Sequence, residues 1–151
     1  MQSPPHRATP ADLDALWRLE AACFEPGRRE ARRVLRASLK NPRHEVWVLK
    51  SATSADGVSA AVFLRLYAKA LRLHSIAVDP TVQGEGLGAA LFHFALERGR
   101  KLGRTTAILE SDCALPHLAA WYQRHGFRPV REIADYYGSN RSALRMRCSL
   151  Q

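Results

Sequence analysis

The segment VQGEGLGAAL, Val82 to Leu91, sets glycines at positions 84, 86 and 88 after a strand-like run and directly before an apolar one. Glycine accepts positive φ at no steric cost, and without Cβ atoms a ligand can approach the main-chain N–H groups closely. The preceding run, LRLHSIAV (71–78), reads as a strand stopped by Asp79 and Pro80. The following run predicts a helix from about Gly88 to Leu102, with Leu87, Leu91, Phe94 and Ala95 on one face. Such a junction gathers unpaired N–H groups at the positive end of a helix dipole, a place suited to pyrophosphate. A plain flexible turn satisfies the glycine count equally well. Ala89 meets the relaxed form of a dinucleotide fingerprint, yet three strands precede the segment, whereas that fingerprint opens a βαβ unit. A Walker loop is excluded, because no Lys-Ser or Lys-Thr follows.

The rest of the chain alternates helical and extended runs. ATPADLDALWRLEAACF predicts a helix over 10–24: Thr9 caps, Pro10 takes the first position, Asp12 completes a capping-box spacing, and Leu13, Leu16, Trp17 and Phe24 form the apolar stripe. REARRVLRASLKN predicts a second, strongly basic helix ended by Asn41 and Pro42. HEVWVLK and VSAAVFLRLYA, either side of the turn SATSADG, predict an antiparallel hairpin. Downstream, TTAILES reads as a strand and LPHLAAWYQRHGF as a helix with Leu115, Leu118, Ala119 and Tyr122 on one stripe. FRPVREIADYY and ALRMRCSL read as two strands around the turn GSNR. The expectation is one α/β domain over residues 1–151 with a largely antiparallel sheet and helices between its strands.

Composition narrows the function classes. No run of about 18 apolar residues is present to span a bilayer, and the N-terminal MQSPPHRATPADLD lacks the layout of a signal peptide. Cys23, Cys113 and Cys148 are odd in number and widely spaced, which points to a reducing cytoplasm and against a disulfide or metal framework. The net charge of +9 attracts polyanions, including a polyphosphate cofactor. The basic residues are dispersed through GRREARRVLR, ERGRKLGR and RPVRE with no aromatic-rich RNA-binding motif, which disfavours nucleic acid as the partner.

IAVDPTVQGEGLGAALF resembles the acetyl-CoA-binding segment of the GNAT family of N-acetyltransferases, with Gln83, Gly86 and Gly88 filling the family's Gln/Arg-x-x-Gly-x-Gly/Ala signature. The order of elements over residues 6–150 is similar as well. The resemblance implies a GNAT fold: a central, mostly antiparallel mixed sheet of six to seven strands flanked by about four helices. It also implies acetyl-CoA as cofactor, its pyrophosphate held by Gln83, Gly84, Glu85, Gly86, Leu87, Gly88 and Ala89, and its pantetheine arm paired with Ile76, Ala77 and Val78.

Acetyl transfer from a thioester to an amine requires an amine that loses a proton, a stabilised oxyanion and a protonated leaving thiolate. An α-amine, with pKa about 7.7–8.0, loses its proton near neutrality far more readily than a lysine at about 10.4. Tyr122, Gly126 and Phe127 resemble the family's Tyr-x3-Gly-Phe pattern, whose tyrosine protonates the coenzyme A thiolate. A tyrosine that merely fills its helix stripe fits the same position. Glu110, twelve positions ahead of Tyr122, resembles the strand-end glutamate of bacterial enzymes that acetylate the N-terminal alanine of a ribosomal protein. It is the candidate base; the alternative is a glutamate paired with a nearby arginine. His74 is the rival base, since some members carry one on that strand. His93, His117 and His125 are expected to face solvent.

ADYYGSNRSALRMR resembles the protein N-terminal acetyltransferase subgroup, which implies that Tyr136 and Tyr137 border the acceptor groove; as edge-strand aromatics they would have no such role. Where relatives carry Ser-Asn before the tyrosine helix, this chain has Ala114, Leu115 and Pro116, so the asparagine contact to the cofactor is absent. Cys113 is expected to be an inert strand-end thiol. The expected activity is direct transfer of acetyl from acetyl-CoA to a primary amine, foremost a protein or peptide N-terminal α-amine, in a monomer or homodimer. The alternatives are a small-molecule amine, a lysine side chain, or a non-catalytic module that binds acyl-CoA or the ribosome.

Overall fold

The computed structural model describes residues 4–50 and 57–151. Along the chain come β1 (His6–Arg7), α1 (Leu13–Cys23), α2 (Arg32–Lys40), β2 (His44–Leu49), β3 (Ala60–Leu66) and β4 (Ala70–Val78). Then follow α3 (Leu87–Lys101), β5 (Thr106–Asp112), α4 (Pro116–Arg124), β6 (Arg128–Ile133) and β7 (Ala143–Ser149). The sheet has seven strands in the order β1-β2-β3-β4-β5-β7-β6. The pairs β1–β2, β2–β3, β5–β7 and β6–β7 are antiparallel, while β4 and β5 run parallel. The expected mixed, mostly antiparallel sheet with four helices is therefore the fold that forms, and among the described residues no helix is long and apolar enough to cross a membrane.

The residues cluster into two compact units, Met1–Leu66 with Leu73–Glu97, and Tyr67–Arg72 with Arg98–Gln151. In the first, Leu13, Leu16 and Leu19 of α1 join Leu35 of α2, Val46 and Val48 of β2, and Phe63 of β3 in one apolar cluster. Burying each such side chain stabilises the fold by about 1.5–3 kcal/mol. Leu35 is the one buried residue of α2, as expected of a basic helix with mostly wetted faces. Cys23, at the end of α1, donates its thiol to the Val78 carbonyl at 3.2 Å and so tethers the end of β4.

In the second unit β7 pairs β5 along its whole length, from Thr106 opposite Ser149 to Asp112 opposite Ala143. Alternation buries Ala107 and Leu109 and leaves Thr106, Ile108 and Glu110 on the other side of the strand. The last turns of α3 approach closely, for a Cβ added at Gly99 would lie 2.9 Å from Leu150 Cδ1 and 3.1 Å from Leu71 Cδ2.

Several sequence expectations shift. The first helix starts as a 3-10 turn, Pro10–Asp12, and the Thr9 N–H donates to the Asp12 carboxylate at 2.8 Å. The SATSADG turn falls on residues 51–56, outside the described residues, apart from Gly57, which has φ +78°. β1 was not anticipated: two exposed residues carry no periodicity, and only pairing with Val48 and Trp47 makes them a strand. β6 stops at Ile133, so Tyr136 and Tyr137 lie in the turn before β7, where Asp135 and Asn140 take positive φ. The α4 stripe is weaker than its pattern, with no fully buried residue and Leu115 exposed.

Candidate active site

The glycine segment lies in the first unit. The strand ends at Val78, and Asp79 accepts from the Thr81 N–H at 2.9 Å, capping the 3-10 turn Pro80–Val82. Gly84 and Gly86 take φ +92° and +80°, conformations that cost an L-residue about 1–2 kcal/mol. No atom lies within 4 Å of a Cβ built at either, so main chain faces open space there. The first helical hydrogen bond closes from the Ala90 N–H to the Gly86 carbonyl at 3.0 Å, so the N–H groups of Leu87, Gly88 and Ala89 have no partner inside α3. This donor set at a helix N-terminus fits a pyrophosphate. Gly88 is helical and packs toward Val78, with 3.5 Å between its notional Cβ and Val78 Cγ2. Of the three β4 residues expected to pair the pantetheine arm, Ala77 is buried, and Ile76 and Val78 are partly buried.

In the same unit, His74 Nε2 lies 2.7 Å from Glu30 Oε1, while its buried Nδ1 has no hydrogen-bond partner. The bond to His74 holds the Glu30 carboxyl below its usual range against the opposing effect of burial. Glu20, on α1, is 3 % exposed; burial and then the nearby Glu30 charge push its carboxyl up to about 7. Neither glutamate was singled out in the sequence. Glu30 sits in a short connection with no periodicity, and Glu20 interrupts an otherwise apolar stripe, which was the one available signal.

The second unit brings three expected residues together. Glu110 is 4 % exposed at its side chain. Its Oε1 accepts from Arg72 Nε at 2.8 Å and Nη2 at 2.5 Å, and its Oε2 from Arg145 Nε at 3.1 Å. Arg145 stands directly opposite Glu110 in the β5–β7 register. The Tyr136 hydroxyl donates to Glu110 Oε1 at 3.3 Å and accepts from Arg72 Nη2 at 2.6 Å, and the Tyr137 hydroxyl donates to the Glu110 carbonyl at 3.3 Å. Burial opposes the Arg72 charge, but Glu110 outweighs it and raises that guanidinium's pKa. Burial and the Glu110 charge raise the Tyr136 hydroxyl, which keeps its proton at neutral pH. Pairing with a nearby arginine was the stated alternative for Glu110, but which arginines was not legible, because strand register, absent from a linear pattern, selects them.

Tyr122 lies on α4, flanked by Trp121 at 5.5 Å and Phe127 at 6.1 Å between ring centroids. Burial raises its hydroxyl pKa, so it too holds its proton at neutrality. Ahead of α4 the buried Asp112 accepts from the Ala114 N–H at 2.9 Å and from Arg141 Nη2 at 2.7 Å, fixing the turn at Ala114 and Leu115. Cys113 is exposed, and its thiol is held above the usual range by desolvation and by Glu132 and Asp112. His93 and His117 are exposed as expected, whereas His125 is half-buried and stacks on Trp121 at 4.0 Å.

The family model described as acetyltransferase (GNAT) domain matches residues 42–129, more than half of the chain. No curated protein matches it in sequence. Among solved structures, the ribosomal-protein-S18-alanine N-acetyltransferase of Escherichia coli superposes with a TM-score of 0.89 at 21% identity, covering 100% of this chain and 95% of its own. NAA60 of Arabidopsis thaliana, solved with acetyl-CoA, gives 0.82 at 14% identity over 96% and 97% of the two chains. A spermidine N-acetyltransferase SpeG chimera from Vibrio cholerae and hSSAT gives 0.79 at 18% over 97% and 94%.

Proposed function

Because the chain belongs to the GNAT acetyltransferase family and is thus an acetyl-CoA-dependent N-acetyltransferase, we propose that its acceptor is the α-amine of a protein or peptide N-terminus. The observation that carries this reading is the meeting of Glu110 with Tyr136 and Tyr137, the residues whose likeness to N-terminal acetyltransferases is closest. The similarity in fold to the ribosomal-protein-S18-alanine N-acetyltransferase supports it.

Bound acetyl-CoA supplies an acetyl group activated as a thioester. Main-chain N–H groups from Gln83 to Ala89 would hold its pyrophosphate, and the main chain of Ile76 to Val78 would pair with its pantetheine arm. Tyr122, kept protonated by burial, donates its proton to the departing sulfur. The acceptor amine loses its proton to the Tyr136 oxygen as the Tyr136 proton passes to Glu110 Oε1 along the 3.3 Å bond. An α-amine suits so modest a base, because its pKa lies about 2.5 units below that of lysine. A second reading takes His74 as the base, its ring oriented by Glu30, whose Oε1 lies 2.7 Å from Nε2.

A peptide panel with free α-amines, blocked N-termini bearing lysine, and spermidine, incubated with acetyl-CoA and read by mass spectrometry, tests the acceptor. Acetylation of free α-amines alone is expected; acetyl on lysine or spermidine in its place refutes the reading. Comparing Glu110→Gln with His74→Asn separates the bases. The true base variant loses the rise of kcat/KM with pH, and the other retains it.

A further inference from the structure

At the end of β5 opposite Glu110, the β6–β7 register sets Arg128 directly across from Arg147. Like charges in that position repel. Both arginines are exposed, and neither guanidinium has a hydrogen-bond or ion-pair partner among the described residues. Together with Thr105, Thr106 and Ser149 they line a cavity of about 370 Å³. Thr106 and Arg147 also line a second cavity, of about 250 Å³, whose other walls are the apolar Ala70, Ile108 and Val130 together with Lys69 and Arg145. The two share walls, so a cationic, hydroxyl-rich half adjoins an apolar half. Val130 is 49% exposed, an apolar side chain left to water in the middle of a strand. Thr106 and Glu110 are four residues apart on β5, or about 13 Å at 3.3 Å per residue, so the hydroxyl-rich end of the groove lies away from Glu110, while Arg145, which pairs with Glu110, walls its apolar end.

We propose that this groove is a second ligand site, specific for a phosphate monoester carrying a compact apolar or aromatic group. Two facing guanidinium forks match the oxygens of a phosphate dianion, whose charge removes the repulsion between Arg128 and Arg147. The Thr and Ser hydroxyls complete its hydrogen bonds. The apolar group lies against Ile108 and Val130.

Phenyl phosphate is the probe, titrated into the full chain and followed by amide chemical shifts. The expected result is movement of the Gly126, Thr106 and Ser149 amides, with inorganic phosphate binding more weakly and phenol leaving them unmoved. Arg147→Gln and, separately, Arg128→Gln weaken the phenyl phosphate response about tenfold, the loss of one charge-assisted contact. Both are surface positions, and each variant's spectrum reports its folding. Shifts confined to Gln83–Ala89, an unchanged affinity in both variants, or a response matched by potassium chloride at equal ionic strength would overturn the site. Inorganic phosphate binding as tightly as phenyl phosphate would overturn its apolar half.

Discussion

Tyr122 and Glu20 show how burial gives a residue its chemistry. Burial keeps the Tyr122 hydroxyl protonated, the state an acid requires, so Tyr122→Phe is expected to lower kcat by about 10²–10⁴ while acetyl-CoA binding, measured by calorimetry, stays within about twofold. Glu20 is a carboxyl raised from 4.5 to about 7, chiefly by burial. Between those values the folded protein holds a proton that the unfolded chain has released, so stability falls as pH rises through this window. The Glu30 carboxyl is lowered, and its contribution is lost only below the ordinary carboxylate range. The wild-type melting temperature should therefore drop from pH 5 to pH 8. Glu20→Gln, which keeps the shape and removes the titration, should flatten that slope. The effect is bounded at about 3 kcal/mol before solvent screening.

Among the elements, the turn from β4 to α3 divides its glycines by role. Gly84 and Gly86 need positive φ, whereas Gly88 is helical with room for a methyl group beside Val78. Gly84→Ala or Gly86→Ala should each cost about 1 kcal/mol in denaturant melts and raise the KM for acetyl-CoA. Gly88→Ala should be neutral or stabilising, since alanine favours the helix by about 1 kcal/mol. Farther along α3, Gly99→Ala meets Leu150 and Leu71 at 2.9 and 3.1 Å, so chemical denaturation should show a loss of about 1–3 kcal/mol from overpacking.

For the molecule as a whole, the net charge of +9 is the governing quantity. A positive surface draws in an anionic cofactor, and added salt screens that attraction over a Debye length of about 10 Å at 0.1 M. kcat/KM for acetyl-CoA, from stopped-flow or initial-rate measurements, should fall several-fold, on the order of 3–10, between low and high salt, with kcat nearly constant. A salt-independent kcat/KM would show that the charge serves elsewhere.

Local chemistry was legible in the linear pattern wherever one segment carries the whole signal. The positive-φ glycines of the turn, the helix start at Thr9 and Pro10, and the Leu13–Leu16 stripe all follow from residues within one or two turns of each other. Tertiary structure decided the rest, because those outcomes depend on which distant residues become neighbours. Two exposed residues became β1 through pairing with β2, and Glu110 acquired Arg72, 38 positions away, and Arg145, 35 positions away. Sequence alone left open whether an arginine would stand beside Glu110. Strand register answered it by placing Arg145 directly opposite, and a linear sequence contains no register until the sheet closes.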